Sequence, residues 1–341
     1  MQTIKLRNKT LQVPIIQGGM GVGVSLGNLA GHVAKCGGMG VISTAHTGYR
    51  CDDFWQNFLE DNLTEIKNEI HKAKEIAGGN GMVGINVMGA LRYYDQMVKA
   101  AIEGGADAII SGAGIPLELP AIVGDADIAI APIVSSGKSA RVICQSWKKK
   151  HDRLPDFIVV EGSQAGGHLG FPMEELSENR EQTLEEIFQD VQTVVKTFEE
   201  KYNVKIPVFV AGGVYTGYDV KKFTDMGAAG AQIATRFIAT HECDASLAYK
   251  ERYLNVKPED IVLIKSTVGM PGRALRSPFV ERLLRGEKEK ITRCLVCLRP
   301  CDPKVAAFCI TTALTEAAKG NWEDGLFFCG SNGYRMKEIV H

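Results

Sequence analysis

Apolar residues in this chain form short, mostly uninterrupted runs. Continuous runs of this length are typical of parallel strands that are buried on both faces. The pattern predicts eight strands, at Val13–Gln17, Met39–Ser43, Val83–Val87, Ala108–Ser111, Ile128–Val134, Phe157–Gly162, Pro207–Ala211 and Gly230–Ala234.

Longer stretches with the apolar spacing of an amphipathic helix separate these runs. The predicted helices are Leu26–Lys35, Phe54–Ala77, Tyr93–Glu103, Pro116–Val123, Lys138–Lys150, Leu184–Tyr202 and Asp219–Met226. Thr183 and Glu186 have the spacing of a capping box at the start of the sixth. Eight strands, each followed by a helical stretch, predict an α/β fold, the TIM (β/α)8 barrel. A doubly wound open sheet is the alternative, although it more often has about five to seven strands.

The alternation breaks after the eighth strand. A short helix is predicted at Asp244–Leu254. The segment after it, Lys257–Arg293, is charged, irregular and interrupted by prolines. The helix that completes the barrel is predicted at Pro303–Lys319, with Gly320 as its C-terminal cap. We therefore expect one barrel from residues 1–254 and 302–341, with a cysteine-containing lid inserted at residues 255–301.

Charge and hydropathy exclude some classes of partner. The 341 residues carry 39 Lys and Arg against 40 Asp and Glu, a net charge of −1. This balance argues against a nucleic-acid-binding surface or a polybasic membrane patch. The chain contains no uncharged apolar run of about 18 residues, and its first residues lack the apolar core of a secretory signal. We expect a cytoplasmic protein that acts on a small molecule without nucleic acid or membrane. A homodimer is the assembly to consider.

Glycine is unusually frequent, at 37 residues, and it concentrates where predicted strands end. The active site of a barrel lies at these carboxyl ends, where glycine lets the backbone approach a ligand closely. Barrels often bind phosphate through the loops after strands seven and eight. Gly212 and Gly213 follow the seventh strand, and Ala234 and Thr235 follow the eighth. These residues predict a phosphate cradle, although Gly-Gly can also serve only to make a tight turn.

His168 is the strongest catalytic candidate. It follows the sixth strand in the sequence Ala165-Gly166-Gly167-His168. An imidazole titrates near neutral pH and can act as a general acid or base. His46, just after the second strand, is a second histidine that could line the same pocket.

Six motifs, taken in order along the chain, resemble one known family. They are Gln17-Gly18-Gly19-Met20, Gly84-Ile85-Asn86, Gly112-Ala113-Gly114, Glu161-Gly162 with Ala165-Gly166-Gly167-His168-Leu169-Gly170, Ala211-Gly212-Gly213, and Gln232-Ile233-Ala234-Thr235-Arg236-Phe237. This pattern resembles the nitronate monooxygenase family, formerly called the 2-nitropropane dioxygenases, and it is shared with the FMN-dependent enoyl-ACP reductases of bacteria. The resemblance extends through about residues 13–240 and is weak beyond them.

The resemblance implies an FMN-containing TIM barrel in which His168 is the catalytic histidine. The cofactor-binding residues that it implies are Gly19 and Met20 near the flavin ring, Asn86 as a hydrogen-bonding partner of the ring, Glu161, Gly166 facing the flavin, and Gly212, Gly213, Gln232, Ala234 and Thr235 around the phosphate. Two positions depart from the family pattern. Ala234 replaces a glycine and requires a negative φ. Glu161 stands where many nitronate monooxygenases carry Gln and where reductase-like members carry Glu.

These features support three hypotheses for function. The first is FMN-dependent oxidation of alkyl nitronates with O2. The second is an NAD(P)H-dependent enoyl-ACP or quinone reductase that uses FMN, which Glu161 favours. The third is a flavin and iron–sulfur electron-transfer protein.

The third hypothesis depends on the cysteines near the end of the chain. Five of the nine cysteines lie in the last 48 residues, and Cys294, Cys297 and Cys301 form a C-x2-C-x3-C pattern followed by Cys309. Thiolates at such spacing can hold an iron–sulfur cluster or zinc. The alternative is a chance group of small buried thiols with no metal. Cys329, in a glycine-rich segment after the closing helix, is expected to return towards the flavin.

Overall fold

The computed structural model describes residues 3–341. Within them the strands, numbered along the chain, are β1 (Ile4–Leu6), β2 (Lys9–Leu11), β3 (Ile15–Gln17), β4 (Met39–Ser43), β5 (Met82–Met88), β6 (Ala108–Gly112), β7 (Ala129–Val134), β8 (Ile158–Glu161), β9 (Gly167–His168), β10 (Val208–Ala211), β11 (Gly230–Ile233), β12 (Ile261–Lys265) and β13 (Pro271–Leu275). Strands β3–β8, β10 and β11 form a closed barrel whose neighbouring strands are all parallel. The prediction of a TIM barrel is confirmed, and each predicted strand overlaps one barrel strand.

Helices follow the barrel strands as the sequence predicted, and two short helices, Met173–Ser177 and Pro278–Leu284, were not predicted. They are α1 (Gly27–Lys35), α2 (Phe54–Ala77), α3 (Tyr94–Glu103), α4 (Leu119–Val123), α5 (Gly137–His151), α6 (Met173–Ser177), α7 (Leu184–Tyr202), α8 (Gly217–Asp225), α9 (Leu247–Glu251), α10 (Pro278–Leu284) and α11 (Ile310–Lys319). The capping box of α7 is present: the Thr183 hydroxyl accepts from the N–H of Glu186, and the Glu186 carboxylate accepts from the N–H of Thr183. No helix within residues 3–341 is long and apolar enough to cross a bilayer.

The barrel interior is filled with side chains, and its amino-terminal end is closed by a hairpin that the sequence analysis did not predict. Strands β1 and β2 pair antiparallel. Their residues Leu6 and Leu11 are fully buried and pack with interior residues such as Val159 and Phe209. This plug leaves the carboxyl end of the barrel as the open face, which is where barrel enzymes place their chemistry.

Asp244 links the two ends of the barrel sequence. Its carboxylate accepts the N–H groups of Leu26 (2.8 Å) and Leu29 (3.1 Å) at the start of α1. A carboxylate in this position satisfies backbone donors that a helix leaves unpaired and interacts favourably with the helix dipole. Because Asp244 caps α1, the helix predicted from this residue begins later. In its place Ser246 caps the shorter helix α9.

Two predictions after β11 need correction. Lys257–Arg293 is not irregular throughout: it contains the hairpin β12–β13 and helix α10, and β13 also pairs with β9. The closing helix begins at Ile310, not at Pro303, because Asp302 instead forms a turn, accepting backbone N–H groups from Lys304 and Ala306. Gly320 ends α11 with a φ of 89°, as predicted.

Candidate active site

One cavity opens at the carboxyl ends of the barrel strands, and it is lined by His168 and by every predicted cofactor-binding residue. The predicted residues that line it are Gly19, Met20, Asn86, Glu161, Gly166, His168, Gly212, Gly213, Gln232, Ala234 and Thr235. They come from the ends of five barrel strands, β3, β5, β8, β10 and β11. The structure thus brings together residues that lie more than 200 positions apart in the chain.

His168 lies in β9, where it is held from two sides. Its Nε2 is 2.8 Å from the Ser266 hydroxyl, and its ring packs edge-on against Phe328 with 5.3 Å between ring centres. Burial lowers the pKa of His168 to about 4, because desolvation disfavours the charged ring. The imidazole is therefore neutral at pH 7. When Nε2–H donates to Ser266, Nδ1 retains a free lone pair that can accept a proton.

Two more polar side chains face the cavity without a protein partner. Glu161 ends β8, and burial raises the pKa of its carboxyl group to about 7. Neither this carboxyl nor the side-chain amide of Asn86 makes a hydrogen bond to any other residue in 3–341. The absence of a side chain at Gly19 lets Asn86 lie close to the loop that follows β3. A Cβ at Gly19 would fall 2.6 Å from the Asn86 Cβ. Both polar groups remain available to a ligand.

The predicted phosphate cradle has the required donors. Gly212 and Gly213 have φ values of 83° and 100°, in the left-handed region that favours glycine. Across the part of the chain that the structure describes, the N–H groups of Gly212, Gly213, Ala234 and Thr235 have no protein acceptor. Ala234 has a φ of −118°, so its methyl group causes no backbone strain. Several unpaired N–H groups at one end of a cavity are suited to an anion.

The carboxyl-terminal segment around Cys329 returns to this cavity, where two of its residues contact the cradle. The Asn332 side-chain amide donates to the carbonyl oxygen of Gly213 (2.7 Å), and the N–H of Gly330 donates to the Thr235 hydroxyl (2.9 Å). The cavity residues that sequence reasoning missed include Gln164, Tyr215, Tyr249, Leu314, Phe328 and Asn332. Only the glycines around Cys329 gave a signal for this segment.

Arg273 supports the loop that leads to His168. Its Nη1 donates to the carbonyl oxygens of Ser163 (2.5 Å) and Ala165 (2.6 Å). Arg273 lies on β13, which pairs with β9 through Gly167. The inserted hairpin therefore positions the loop through both a side chain and its backbone.

The suggestion that His46 lines the pocket is wrong. His46 is buried next to the rings of Phe54 and Phe58, and its Nε2 lies 2.9 Å from the Thr311 hydroxyl. Burial lowers its pKa to about 4. Its neighbour Ala45 lines the cavity instead.

The cysteines near the end of the chain are free thiols. Cys294, Cys297, Cys301 and Cys309 line a second, small cavity. Within residues 3–341, no three His, Cys, Asp or Glu side chains converge where they could share a single metal ion. A mononuclear zinc site, which requires such convergence, is therefore not supported.

Two kinds of relative are similar to this chain. A (3aS,4S,5R,7aS)-5-hydroxy-7a-methyl-1-oxo-octahydro-1H-indene-4-carboxyl-CoA dehydrogenase of Mycobacterium tuberculosis is 25% identical over 283 residues, which are 82% of this chain and 68% of that protein. Its counterpart from Rhodococcus jostii is 25% identical over 277 residues, 80% and 65% of the two chains. This chain spans about two thirds of the length of these relatives. A probable nitronate monooxygenase of Staphylococcus aureus is 24% identical over 308 residues. The alignment covers 82% of this chain and 79% of that protein.

Solved structures share the fold. FabK from Thermotoga maritima aligns over 97% of this chain and 89% of its own, with 24% identity and a TM-score of 0.72. A nitroalkane oxidase from Streptomyces ansochromogenes aligns over 97% and 92%, with 20% identity and a TM-score of 0.71. The family model described as nitronate monooxygenase matches residues 3–341. The chain is therefore an oxidoreductase that belongs to the nitronate monooxygenase family.

Proposed function

We propose that this protein binds FMN and oxidises alkyl nitronates with O2. The observation that carries this proposal is the composition of one cavity. Within residues 3–341, it combines the unpaired imidazole nitrogen of His168, the unpaired side chains of Glu161 and Asn86, and a group of unpaired backbone N–H donors. Family membership supports the same assignment.

The cavity residues fit FMN by the chemistry of their donors. Gly212, Gly213, Ala234 and Thr235 would hold the phosphate through N–H groups that have no acceptor within residues 3–341. Asn86 would donate or accept at the edge of the ring, near Gly19 and Met20. When bound, FMN supplies the redox chemistry with substrate and O2, while the protein supplies binding, orientation and electrostatics.

His168 acts on protons in this proposal. A nitronate is already deprotonated at carbon and needs no base, whereas a neutral nitroalkane must first lose a proton from the carbon next to the nitro group. The neutral His168 imidazole can accept that proton at Nδ1 while Nε2 is held by Ser266. The residue is therefore required for nitroalkanes and is less important for nitronates.

A second candidate, an NAD(P)H-dependent reductase that uses FMN, is favoured by Glu161. A carboxyl group with a pKa of about 7 is about half protonated at that pH, and its protonated form can donate a hydrogen bond or a proton to a carbonyl substrate. The mycobacterial relative is named for a carboxyl-CoA compound. A thioester is therefore the substrate class to test for this alternative.

Anaerobic mixing tests the two candidates. Protein loaded with FMN is mixed in separate experiments with ethyl nitronate, NADH and NADPH, and flavin absorbance is followed in time. The proposal expects fast loss of flavin absorbance with the nitronate and slow loss with either nicotinamide. The reverse order would overturn nitronate oxidation and support the reductase.

A binding measurement precedes this experiment. FMN is titrated into apoprotein, with riboflavin as the matched ligand that lacks phosphate. We expect FMN to bind more tightly than riboflavin, because only FMN can occupy the cradle of N–H groups. Equal affinities would contradict the assignment of Gly212, Gly213, Ala234 and Thr235.

A further inference from the structure

The chain between α10 and α11 runs through residues 285–309 with no helix or strand longer than the single bridge at Leu298. Connections longer than about 12–15 residues without secondary structure are uncommon in compact domains, and those that are ordered usually have a function. This connection contains Cys294, Cys297 and Cys301, and Cys309 is its last residue. We refer to residues 285–309 as the cysteine loop.

The cysteine loop is fixed to the barrel by backbone hydrogen bonds. The N–H of Arg92 donates to the carbonyl of Cys297 (2.9 Å), and the N–H of Arg299 donates to the carbonyl of Ala90 (2.9 Å). The Arg92 side chain also donates to the carbonyl of Val296 (3.0 Å). These bonds attach the loop to the segment that follows β5, so its cysteines have defined positions.

All four cysteines line one small cavity whose walls carry no charged side chain. The other lining residues are Ile291, Leu295, Val296, Leu298, Pro303, Phe308, Ile310 and Thr311. Cys294 is exposed, whereas the other three cysteines are partly buried. Four thiols around an apolar pocket near the surface form a donor set for a soft metal centre.

The backbone between the first two cysteines directs an N–H group to a cysteine sulfur. Val296 has a φ of 51°, a left-handed conformation that β-branched residues rarely adopt. This conformation directs its N–H to the Cys294 sulfur at 3.3 Å. The Cys297 sulfur lies 3.4 Å from the Thr311 hydroxyl. Hydrogen bonds to cysteine sulfur stabilise the thiolate form and adjust the potential of iron–sulfur clusters, and strained backbone is concentrated at functional sites.

We propose that Cys294, Cys297, Cys301 and Cys309 bind a [4Fe–4S] cluster. A single zinc ion would require thiolates to converge at about 2.3 Å from one point, and no three ligands do so within residues 3–341. A cubane cluster instead takes one cysteine at each iron, so its ligands surround a pocket without meeting. The four thiols lining one pocket match this second arrangement.

The proposed cluster adjoins the active-site cavity. The Thr311 hydroxyl contacts the Cys297 sulfur on one side and lies 2.9 Å from His46 Nε2 on the other. Ala45, next to His46, lines the active-site cavity, and so does Leu314. Leu314 is three residues beyond Thr311 in α11, a rise of about 4.5 Å along the helix axis. The two cavities thus share α11 as a common wall.

Metal analysis tests the proposal. The full chain is purified without oxygen, incubated with ferrous iron and sulfide, desalted, and assayed for iron, acid-labile sulfide and zinc. We expect about four iron and four sulfide per chain, and a paramagnetic signal after reduction with dithionite. One zinc per chain, or no iron after reconstitution, would overturn the proposal.

Cysteine variants locate the cluster. Cys297→Ser and Cys301→Ser should each lose most of the iron and sulfide, while Cys36→Ser, at an exposed thiol at the end of α1, should retain both. Circular dichroism and thermal unfolding establish that each variant is folded. Folded Cys297→Ser and Cys301→Ser proteins that both keep full iron would contradict the assignment, whatever the outcome of the FMN experiments.

Discussion

His168 Nε2 lies 2.8 Å from the Ser266 hydroxyl oxygen, a contact between residues 98 positions apart. His168 comes from the loop after β8, whereas Ser266 follows β12 in the inserted hairpin. This hydrogen bond sets the rotation of the imidazole, and the edge-on contact with Phe328 supports it. The segment that carries β12 and β13 therefore orients the candidate catalytic group.

Replacing Ser266 with Ala should reveal this orienting role. Without the hydroxyl, the neutral imidazole loses the partner that fixes its tautomer and rotation. We expect turnover of nitroethane to fall by about 10-fold, while turnover of ethyl nitronate, which needs no base, changes little. Steady-state kinetics with both substrates measure the difference.

Thr224→Ala is the matched control for Ser266→Ala. It removes a hydroxyl that, among residues 3–341, bonds only to the carbonyl of Lys221 on the outer helix α8. Both rates should remain at wild-type values. Equal slowing of nitroethane and ethyl nitronate in Ser266→Ala would show that the hydroxyl serves general packing instead.

Gly212→Ala should weaken FMN binding. Gly212 has a φ of 83°, and an added Cβ would fall 2.6 Å from the Gly162 carbonyl oxygen. An alanine in this conformation costs roughly 1–2 kcal/mol, so the loop would relax away from it in the apoprotein. FMN binding would then have to restore the conformation, and each 1.4 kcal/mol of that cost corresponds to about a tenfold loss of affinity. We expect the FMN dissociation constant, measured by fluorescence titration, to rise by about 10-fold or more. Gly217→Ala, where a Cβ meets no atom within 4 Å, is the control and should bind FMN normally.

Glu161 should give the reductase reaction a pH dependence near neutrality. Burial raises the pKa of this carboxyl to about 7, so it is protonated below that pH and ionised above it. If it supplies a proton, NAD(P)H-driven reduction of a thioester or quinone decreases as the pH rises through 7. Glu161→Gln should remove this step from the pH profile of kcat. An unchanged step in the variant would assign the ionisation to another group.

His46 should make the fold sensitive to acid. Burial lowers the pKa of its imidazole to about 4, whereas in the unfolded chain it is about 6.5. Between these values the unfolded state binds more protons, so the free energy of unfolding decreases as the pH falls from 6.5 to 4. The full effect is roughly 3 kcal/mol. Urea unfolding at several pH values measures it.

His46→Gln is the variant for this prediction, since an amide can still bond to Thr311 without titrating. Its free energy of unfolding should depend less on pH than that of the wild type. His168, with its pKa also lowered to about 4, contributes in the same direction, so the double variant His46→Gln/His168→Gln should be flatter still. A double variant with the wild-type slope would contradict both assignments.

The sequence predicted the barrel well because buried parallel strands leave continuous apolar runs such as Val83–Val87. It also predicted where the site forms, because glycines such as Gly212 mark strand ends where the backbone must adopt special conformations. Contributions from distant segments were not predictable. Asn332 reaches Gly213, and Arg273 reaches Ser163, through contacts that have no periodicity in the sequence. The start of α11 was misplaced because Asp302 favours a turn that ends before Ile310.

The pairing of β3 with β11 also has a consequence for synthesis of the chain. Ile15 pairs with Ala231, the N–H of Gly18 donates to Ile233, and Asp244 caps α1 across 218 positions. A nascent chain must therefore reach about Asp244 before this seam can close, and until then β3 remains an unpaired sheet edge, which favours aggregation. Gly18 and Gln232 line the cavity at the seam. A ligand bound there would contact both β3 and β11 and stabilise their pairing. Its supply during translation would therefore favour completion of the barrel.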